Sequence, residues 1–485
     1  MGLNSDQRDA TGLAFVLGQM QADSPFGNKR LRALKFYTKN EKAELLNEFH
    51  NIGQILASIK TSDEIWAEAR RVLMRFKDIT NSLVKLEGSY LHEIELFELK
   101  GFMLSLGKLK EAFLNTKISL IDIEFIDMED ALDILDPDKK RIAPFYLSEQ
   151  YTKELWDIRN EKSRLEELLR TQTDKAELEK LNVMRGEIVA REEATETTVK
   201  KDLSEKLRVF LPLFRKNIDA IGKLDFTIQK ALLAKAHGAT CPDIEGEAVV
   251  FNDMINPAVE DVLKRNGKSF TPVSITLGAG TTLLTGANMG GKSVAIKTAV
   301  LNVCLCHMGF FVFAKKAVMP IFDGVYMISE DLQSISDGLS TFGAEIVRLN
   351  DIVKEAECKH LFIALDEFAR GTNPKEGALI VRAVSKYLNT KNSVSIITTH
   401  YDNVASEEFG LYQVAGLRSL DFEKLPARIA AGVDGIDLIA QQMDYRLLPV
   451  KGTSEPPQDA INICRLLGTE RGVLEAIERE YSAQV

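Results

Sequence analysis

The sequence of 485 residues is short of the residue types that build metal centres and disulfide frameworks, with five cysteines and six histidines. Cys241, Cys304, Cys306, Cys358 and Cys464 show no paired C-x-x-C spacing, and the histidines do not cluster with them. This pattern excludes a zinc site and points to reduced, buried thiols in a cytoplasmic protein. Long hydrophobic runs are missing too. The most apolar stretch, 299–314, is interrupted by Asn302 and His307, so it reads as a core helix running into a strand and not as a membrane span. The first 23 residues lack a basic segment followed by an apolar run, and no secretory signal is expected. A basic excess is also lacking: the net charge is -10. That excludes a chain coated in basic residues for nucleic acid, while leaving room for a local basic groove.

What is present is an ordinary globular composition, 45% hydrophobic and 27% charged, in a chain long enough for two to four domains. Residues 1–147 are poor in glycine and proline and carry apolar residues at three- and four-residue spacing. Leu45, Phe49, Ile52 and Leu56 form one stripe, and Phe102, Leu106, Leu109 and Phe113 another, both read as core packing in a helical core or lever domain. Asp136-Pro137-Asp138 marks a turn, and a second helical run begins near Ser148. Leu155, Ile158, Leu165 and Leu169 follow a heptad-like rhythm with Lys162 in the seam, which Thr171-Gln172-Thr173-Asp174 breaks. The rhythm resumes from Lys175 and is carried by Leu203, Leu207, Phe210, Phe214, Ile218 and Ile221 towards Lys235. Residues 148–240 are therefore expected to form a long antiparallel helical hairpin arm and a returning lever helix. Acidic residues at least match basic ones along the arm, which favours a solvated face over a phosphate-tracking one.

From about Cys241 the texture becomes alternating short strands and helices, the pattern of a mostly parallel sheet flanked by helices over 241–450. A helical appendage, with a dimerising role, is expected over 451–485. Gly286-Ala287-Asn288-Met289-Gly290-Gly291-Lys292-Ser293 fits the phosphate-loop pattern G-x-x-x-x-G-K-[ST], between a β-branched run at 281–285 and an apolar helix from Val294. Glycines at these places let backbone N–H groups turn in on phosphate oxygens, and the following helix offers its positive end to the same charge. Lys292 then reaches the β- and γ-phosphates of ATP, and Ser293 ligates Mg²⁺. Asp366-Glu367 follows the apolar strand 361–365. There Asp366 is placed to hold the metal and Glu367 to deprotonate the attacking water. His400 ends the strand run 393–398 and its two following threonine-histidine positions, where it would sense the γ-phosphate. Ser340-Thr341-Phe342 precedes a helical stretch at 343–355 and reads as an N-cap that offers hydroxyls and N–H groups to an anion.

In chain order these pieces resemble the MutS family of mismatch-repair ATPases. Thr285 to Ser293 is close to the family's T-G-P-N-M-G-G-K-S, Ser340-Thr341-Phe342 with Glu345 to S-T-F-x-x-E, Asp366-Glu367 with Arg370-Gly371-Thr372 to D-E-x-x-R-G-T, and Thr399-His400-Tyr401 to T-H-Y. Upstream, Ser24 to Arg32 resembles the start of the family's helical core, and Lys223-Leu224-Asp225-Phe226 the point where its lever rejoins the ATPase. The resemblance implies an α/β P-loop ATPase domain of the ABC type following an all-α lever domain, and a homodimer through facing ATPase domains. It implies that Phe270 stacks on adenine, that Asn288 and Met289 belong to the nucleotide loop, and that Ser340 acts on the partner's nucleotide.

Departures from the family pattern shape the functional expectation. The core-like motif begins near Ser24, leaving no space ahead of it for a mismatch reader, and the tight turn at 171–175 stands where DNA-clamping members carry a clamp module. Ile328-Ser329-Glu330-Asp331 replaces R-I-G-A-x-D, Ala287 replaces proline and Glu345-Ile346 replaces E-M. The leading expectation is a cytoplasmic ATPase that moves a helical lever and binds DNA without mismatch selectivity. The alternative is an ATP-driven remodeller of a client enzyme: short MutS-like proteins without reader or clamp are associated with adenosylcobalamin-dependent lysine aminomutases as reactivating ATPases, and this chain resembles them in size and architecture.

Overall fold

The computed structural model describes residues 2–286, 290–329, 341–401, 403–416, 444–450, 461, 464 and 469–484. Helices dominate the first half. They are α1 (Ser5–Thr11), α2 (Leu13–Gly18), α3 (Pro25–Arg32), α4 (Lys42–Thr61), α5 (Asp63–Leu73), α6 (Thr80–Gly88), α7 (Glu93–Asn115), α8 (Glu129–Leu135), α9 (Lys153–Thr171), α10 (Lys175–Arg208) and α11 (Leu211–His237). Strands and helices then alternate through β1 (Val249–Met254), α12 (Pro257–Arg265), β2 (Val273–Leu277), β3 (Gly280–Thr285), α13 (Lys292–His307), β4 (Lys316–Val318) and β5 (Gly324–Ile328). After α14 (Thr341–Ala356) come β6 (Leu361–Leu365), α15 (Pro374–Asn389), β7 (Ser393–Thr398), β8 (Gly410–Gly416), β9 (Asp444–Pro449) and α16 (Arg471–Gln484). A helical N-terminal region thus precedes a mixed α/β region. No described helix is long and apolar enough to cross a membrane.

Two compact units are formed by interleaved segments of the chain. One, Gln21–Leu34 with Gly53–Gln229, is helical. Its centre is an aromatic cluster, Phe26, Phe76 and Phe102, with ring centroids 5.4 to 6.3 Å apart, continued by Phe214 at 5.7 Å from Phe102. The two upstream motifs meet here. Ser24 donates to Asp225 from both its N–H and its hydroxyl at 2.6 Å, and the Asp23 N–H donates to the other carboxylate oxygen at 3.1 Å. A side chain at Gly27 would put its Cβ 2.2 Å from that carboxylate, so only glycine permits the approach.

Helices α9 and α10 belong to the same unit and pack through Ile158, Leu165 and Ile188. Asp174 caps α10 by accepting from the Ala176 and Glu177 N–H groups. Lys162 is an ion-pair partner of Glu192, which Arg159 also binds while reaching Glu196. The second long helix expected from Lys175 to Lys235 is two helices, broken at Val209 and Phe210. Pro212, in the first turn of α11, lacks an N–H and clashes with a preceding helical turn, so the chain must restart there.

The other unit, Met1–Met20 with Lys35–Ile52 and Lys230–Val485, contains both sheets. A three-stranded antiparallel sheet has the order β2-β1-β4, and a six-stranded sheet the order β5-β6-β7-β3-β8-β9. In the larger sheet all neighbours are parallel except β8 and β9. Its central strands β6, β7 and β3 are buried at every position, as parallel strands covered on both faces must be. The strand expected near the end of 299–314 is not formed beyond a single bridge between Thr240 and Val312. Asn302 accepts the Phe313 N–H, and the Phe310 N–H returns to Leu305 O, so these buried groups are satisfied by α13 instead of by a ladder.

Candidate nucleotide site

The order β6-β7-β3 sets neighbouring strands side by side in parallel, so the segments that follow their C-terminal ends emerge on one edge of the sheet. Those segments carry the phosphate-loop pattern, Asp366-Glu367 and Thr399-His400. Ligands of open α/β sheets bind at this edge. Beside it lies a cleft of about 870 Å³ lined by Phe270, Gly290, Lys292, Ser293, Glu367 and Tyr445, among others.

Gly291, at φ +82°, is the N-cap of α13 and offers no side-chain cap to the helix. The positive end of α13 is therefore not covered by a side-chain cap, and helix N-termini of this kind attract anions. A Cβ on Gly291 would also come within 3.0 Å of the Tyr445 ring. Lys292 is buried and its Nζ donates to Gly286 O at 2.8 Å across the loop. Burial pushes its ammonium below the ordinary lysine range, against the pull of Glu367 and Asp366.

Ser293 Oγ donates to Asp366 Oδ1 at 3.0 Å, and Thr398 Oγ1 donates to the same oxygen at 2.8 Å. Burial raises the Asp366 carboxyl above its usual range, opposed by those bonds and by Lys297. Two cis ligands of an octahedral Mg²⁺, each at about 2.1 Å, lie about 3 Å apart. The Ser293 and Asp366 oxygens fit such a pair, and a hydroxyl with a carboxylate is a suitable hard-oxygen donor set. A buried ammonium and a buried carboxylate at one site are the charges that an anion and a cation would compensate.

Glu367 stands at φ +49°, its N–H donating to Thr398 Oγ1 at 2.8 Å and its carboxylate accepting from Arg370 at 3.0 Å. Of the residues expected from sequence, Phe270, Gly290, Gly291, Lys292, Ser293 and Glu367 line one cleft, Asp366 touches Ser293, and Gly286 receives Lys292. His400 is half-buried with its ring 4.4 Å from that of Tyr401, and is not among the described residues lining the cleft. Asn288, Met289 and Ser340 lie outside the described residues.

Sequence reading missed Tyr445 and Thr398. Tyr445 sits on an edge strand some 150 residues after the loop, without a motif to flag it. Thr398 is an ordinary strand-end threonine until its hydroxyl is seen to bridge Asp366 and the Glu367 N–H.

A family model of MutS domain V, the ATPase domain of that family, matches residues 282–429, which include the phosphate loop and Asp366-Glu367. The chain is similar to the protein called Endonuclease MutS2 of Thermus thermophilus, 33% identical over 63% of this chain and 39% of that protein. Endonuclease MutS2 of Caldicellulosiruptor bescii is 30% identical over 59% of this chain and 33% of its own length. The DNA mismatch repair protein MutS of Shouchella clausii is 29% identical over 41% of this chain and 23% of its own. Residues 282–429 of this chain carry domain V of the MutS family. The similarity spans between about a quarter and two fifths of the length of these MutS relatives.

Proposed function

We propose that this MutS-family chain hydrolyses ATP with Mg²⁺ in the cleft at the edge of β6-β7-β3, and that it works as a cytoplasmic homodimer on DNA. The observation that carries the reading is the pairing of Ser293 with Asp366 at 3.0 Å beneath a cleft that also presents Lys292 and Glu367. Lys292 and the N-terminal N–H groups of α13 bind and orient the phosphates. Ser293 and Asp366 hold the metal, which when bound draws charge from the β- and γ-phosphate oxygens. Glu367 takes a proton from the attacking water. Phe270 packs on the adenine ring, Asn288 and Met289 complete the loop, and His400 reads the γ-phosphate. Ser340 acts on the partner's nucleotide, so that the homodimer closes through the ATPase regions.

In this reading 1–147 is the helical core or lever, 148–240 the hairpin arm and returning helix, 241–450 the ATPase of the P-loop, ABC type and 451–485 a dimerising appendage. Steady-state ATP hydrolysis with parallel nucleotide binding tests it. Glu367→Gln is expected to keep ATP binding and lose about a hundredfold in kcat, and Lys292→Ala to weaken ATP binding about tenfold or more. Equal turnover by wild type and Glu367→Gln rejects Glu367 as the base, and no turnover by wild type with Mg²⁺ rejects the ATPase reading.

A further inference from the structure

The loop that follows β6 adopts a conformation that residues of its kind resist. Glu367 and Ala369 both stand in the left-handed region, at φ +49° and +63°, and neither is glycine. Such a backbone persists only where its surroundings over-determine it. Three outside groups do so. Thr398 Oγ1 accepts the Glu367 N–H at 2.8 Å, Tyr401 Oη donates to Ala369 O at 2.7 Å, and Glu345 Oε2 accepts the Ala369 N–H at 2.9 Å. The first two come from the end of β7 and the segment just after it, within the sheet layer. Glu345 comes from α14, whose Leu349 and Ile352 pack with Leu365 and Phe368 in one apolar cluster. Ala369 is fully buried and Glu345 nearly so, hence water does not replace this bond if it is broken.

We infer that Glu345 is a positioning residue: it fixes the 367–370 loop, and through that loop the direction of the Glu367 carboxylate, so that a shift of α14 is transmitted to hydrolysis. The inference rests on the reading of Glu367 as the base. Glu345 touches Ala369 and acts through it, two residues from Glu367. With the bond in place the left-handed pair is held and the carboxylate faces the cleft. When α14 moves by enough to lengthen a 2.9 Å bond, the pair is free to relax and the carboxylate loses its aim. The device couples any event at the start of α14 to turnover without altering the phosphate loop, because Lys292 is anchored on Gly286, and Asp366, which receives Ser293, is itself tied to Ile328 and Thr398 in the sheet and not to Glu345.

The test is steady-state ATP hydrolysis by wild type, Glu345→Ala, Glu345→Gln and Tyr401→Phe, with the affinity for a fluorescent mant-ATP probe and the melting temperature of each. Glu345→Ala is expected to lower kcat at least about tenfold while KM and probe affinity stay within about twofold, and Glu345→Gln, which keeps an accepting oxygen, to stay within about threefold of wild type. Tyr401→Phe, which removes the donor to Ala369 O, is expected to lower kcat with the same unchanged affinity. An unchanged kcat in Glu345→Ala, a glutamine variant as slow as the alanine one, or a parallel fall of kcat, affinity and melting temperature overturns the inference. If Glu345→Ala does not fold, Tyr401→Phe decides, and wild-type kcat in that variant overturns it. A wild type without turnover sinks the ATPase reading and this inference together, whereas an active wild type with an equally active Glu345→Ala sinks the inference alone.

Discussion

His307, the last residue of α13, shows how one buried side chain ties neutral-pH chemistry to stability. Its Nδ1 lies 2.9 Å from Val303 O, which can only accept, and its Nε2 receives the Phe322 N–H at 2.8 Å. The ring is therefore neutral, with its proton on Nδ1, and it is stacked between Phe36 and Phe322. Burial pushes its pKa down to about 4. The unfolded chain takes up this proton from about pH 6.5 downwards and the native one only below about 4, so stability is full above the window and falls as pH drops through it. The loss amounts to about 3 kcal/mol for this group. Denaturant midpoints measured from pH 7 to pH 4 are expected to fall less steeply in His307→Gln than in wild type. Equal slopes would reject the assignment.

Between elements, the helical unit carries a buried polar link between the start of α3 and the middle of α11. Asp225 is fully buried, and burial raises its carboxyl above the ordinary range although Ser24 and Asp23 all donate to it. Its partner Asp23 is in turn bridged by Arg70 on α5, at 2.7 and 3.2 Å, so three helices share one polar knot beside the Phe26 cluster. Removing the carboxylate strands two backbone N–H groups and a hydroxyl. Asp225→Ala is expected to cost about 3 kcal/mol, read as a lowered denaturant midpoint, with Asp225→Asn losing less because an accepting oxygen remains. A midpoint unchanged in Asp225→Ala would mean that the chain entry into α3 is held by Pro25 and the aromatic packing alone.

At the scale of the whole molecule the charge balance bears on the partner. The net charge is -10, and several basic residues of the α9 and α10 pair are engaged by its own acids: Arg159 and Lys162 by Glu192, Arg191 by Glu161, Lys206 by Asp202. A DNA-binding role must then rely on few phosphate contacts, which predicts a shallow dependence of affinity on salt. Binding to homoduplex and mismatched duplex, with and without ATP, is expected to be equal for the two duplexes and to weaken modestly as salt rises. Absence of binding at low salt in both nucleotide conditions rejects the DNA role, and a preference for the mismatch rejects the expectation of shape-only recognition.

Some of this molecule is written locally along the chain. The loop from Gly286 to Ser293, the buried runs 361–365 and 393–398 and the apolar stripes of α4 and α7 are each set by residues a few positions apart, because turn chemistry and the helical and strand periods act over that range. Local pattern also explains where reading failed: Pro212 breaks a helix whose apolar rhythm runs straight through it, and Val312 sits in a β-like run whose Phe310 and Phe313 N–H groups bond to α13 instead of to a ladder. Tertiary structure alone decided that β6, β7 and β3 are neighbours, that Ser24 meets Asp225 two hundred residues on, that Tyr445 faces Gly291 and that Glu345 holds Ala369. Such pairings join segments far apart in the chain. They follow from the summed burial of whole faces and the need of every buried N–H and C=O for a partner, which no local stretch carries by itself.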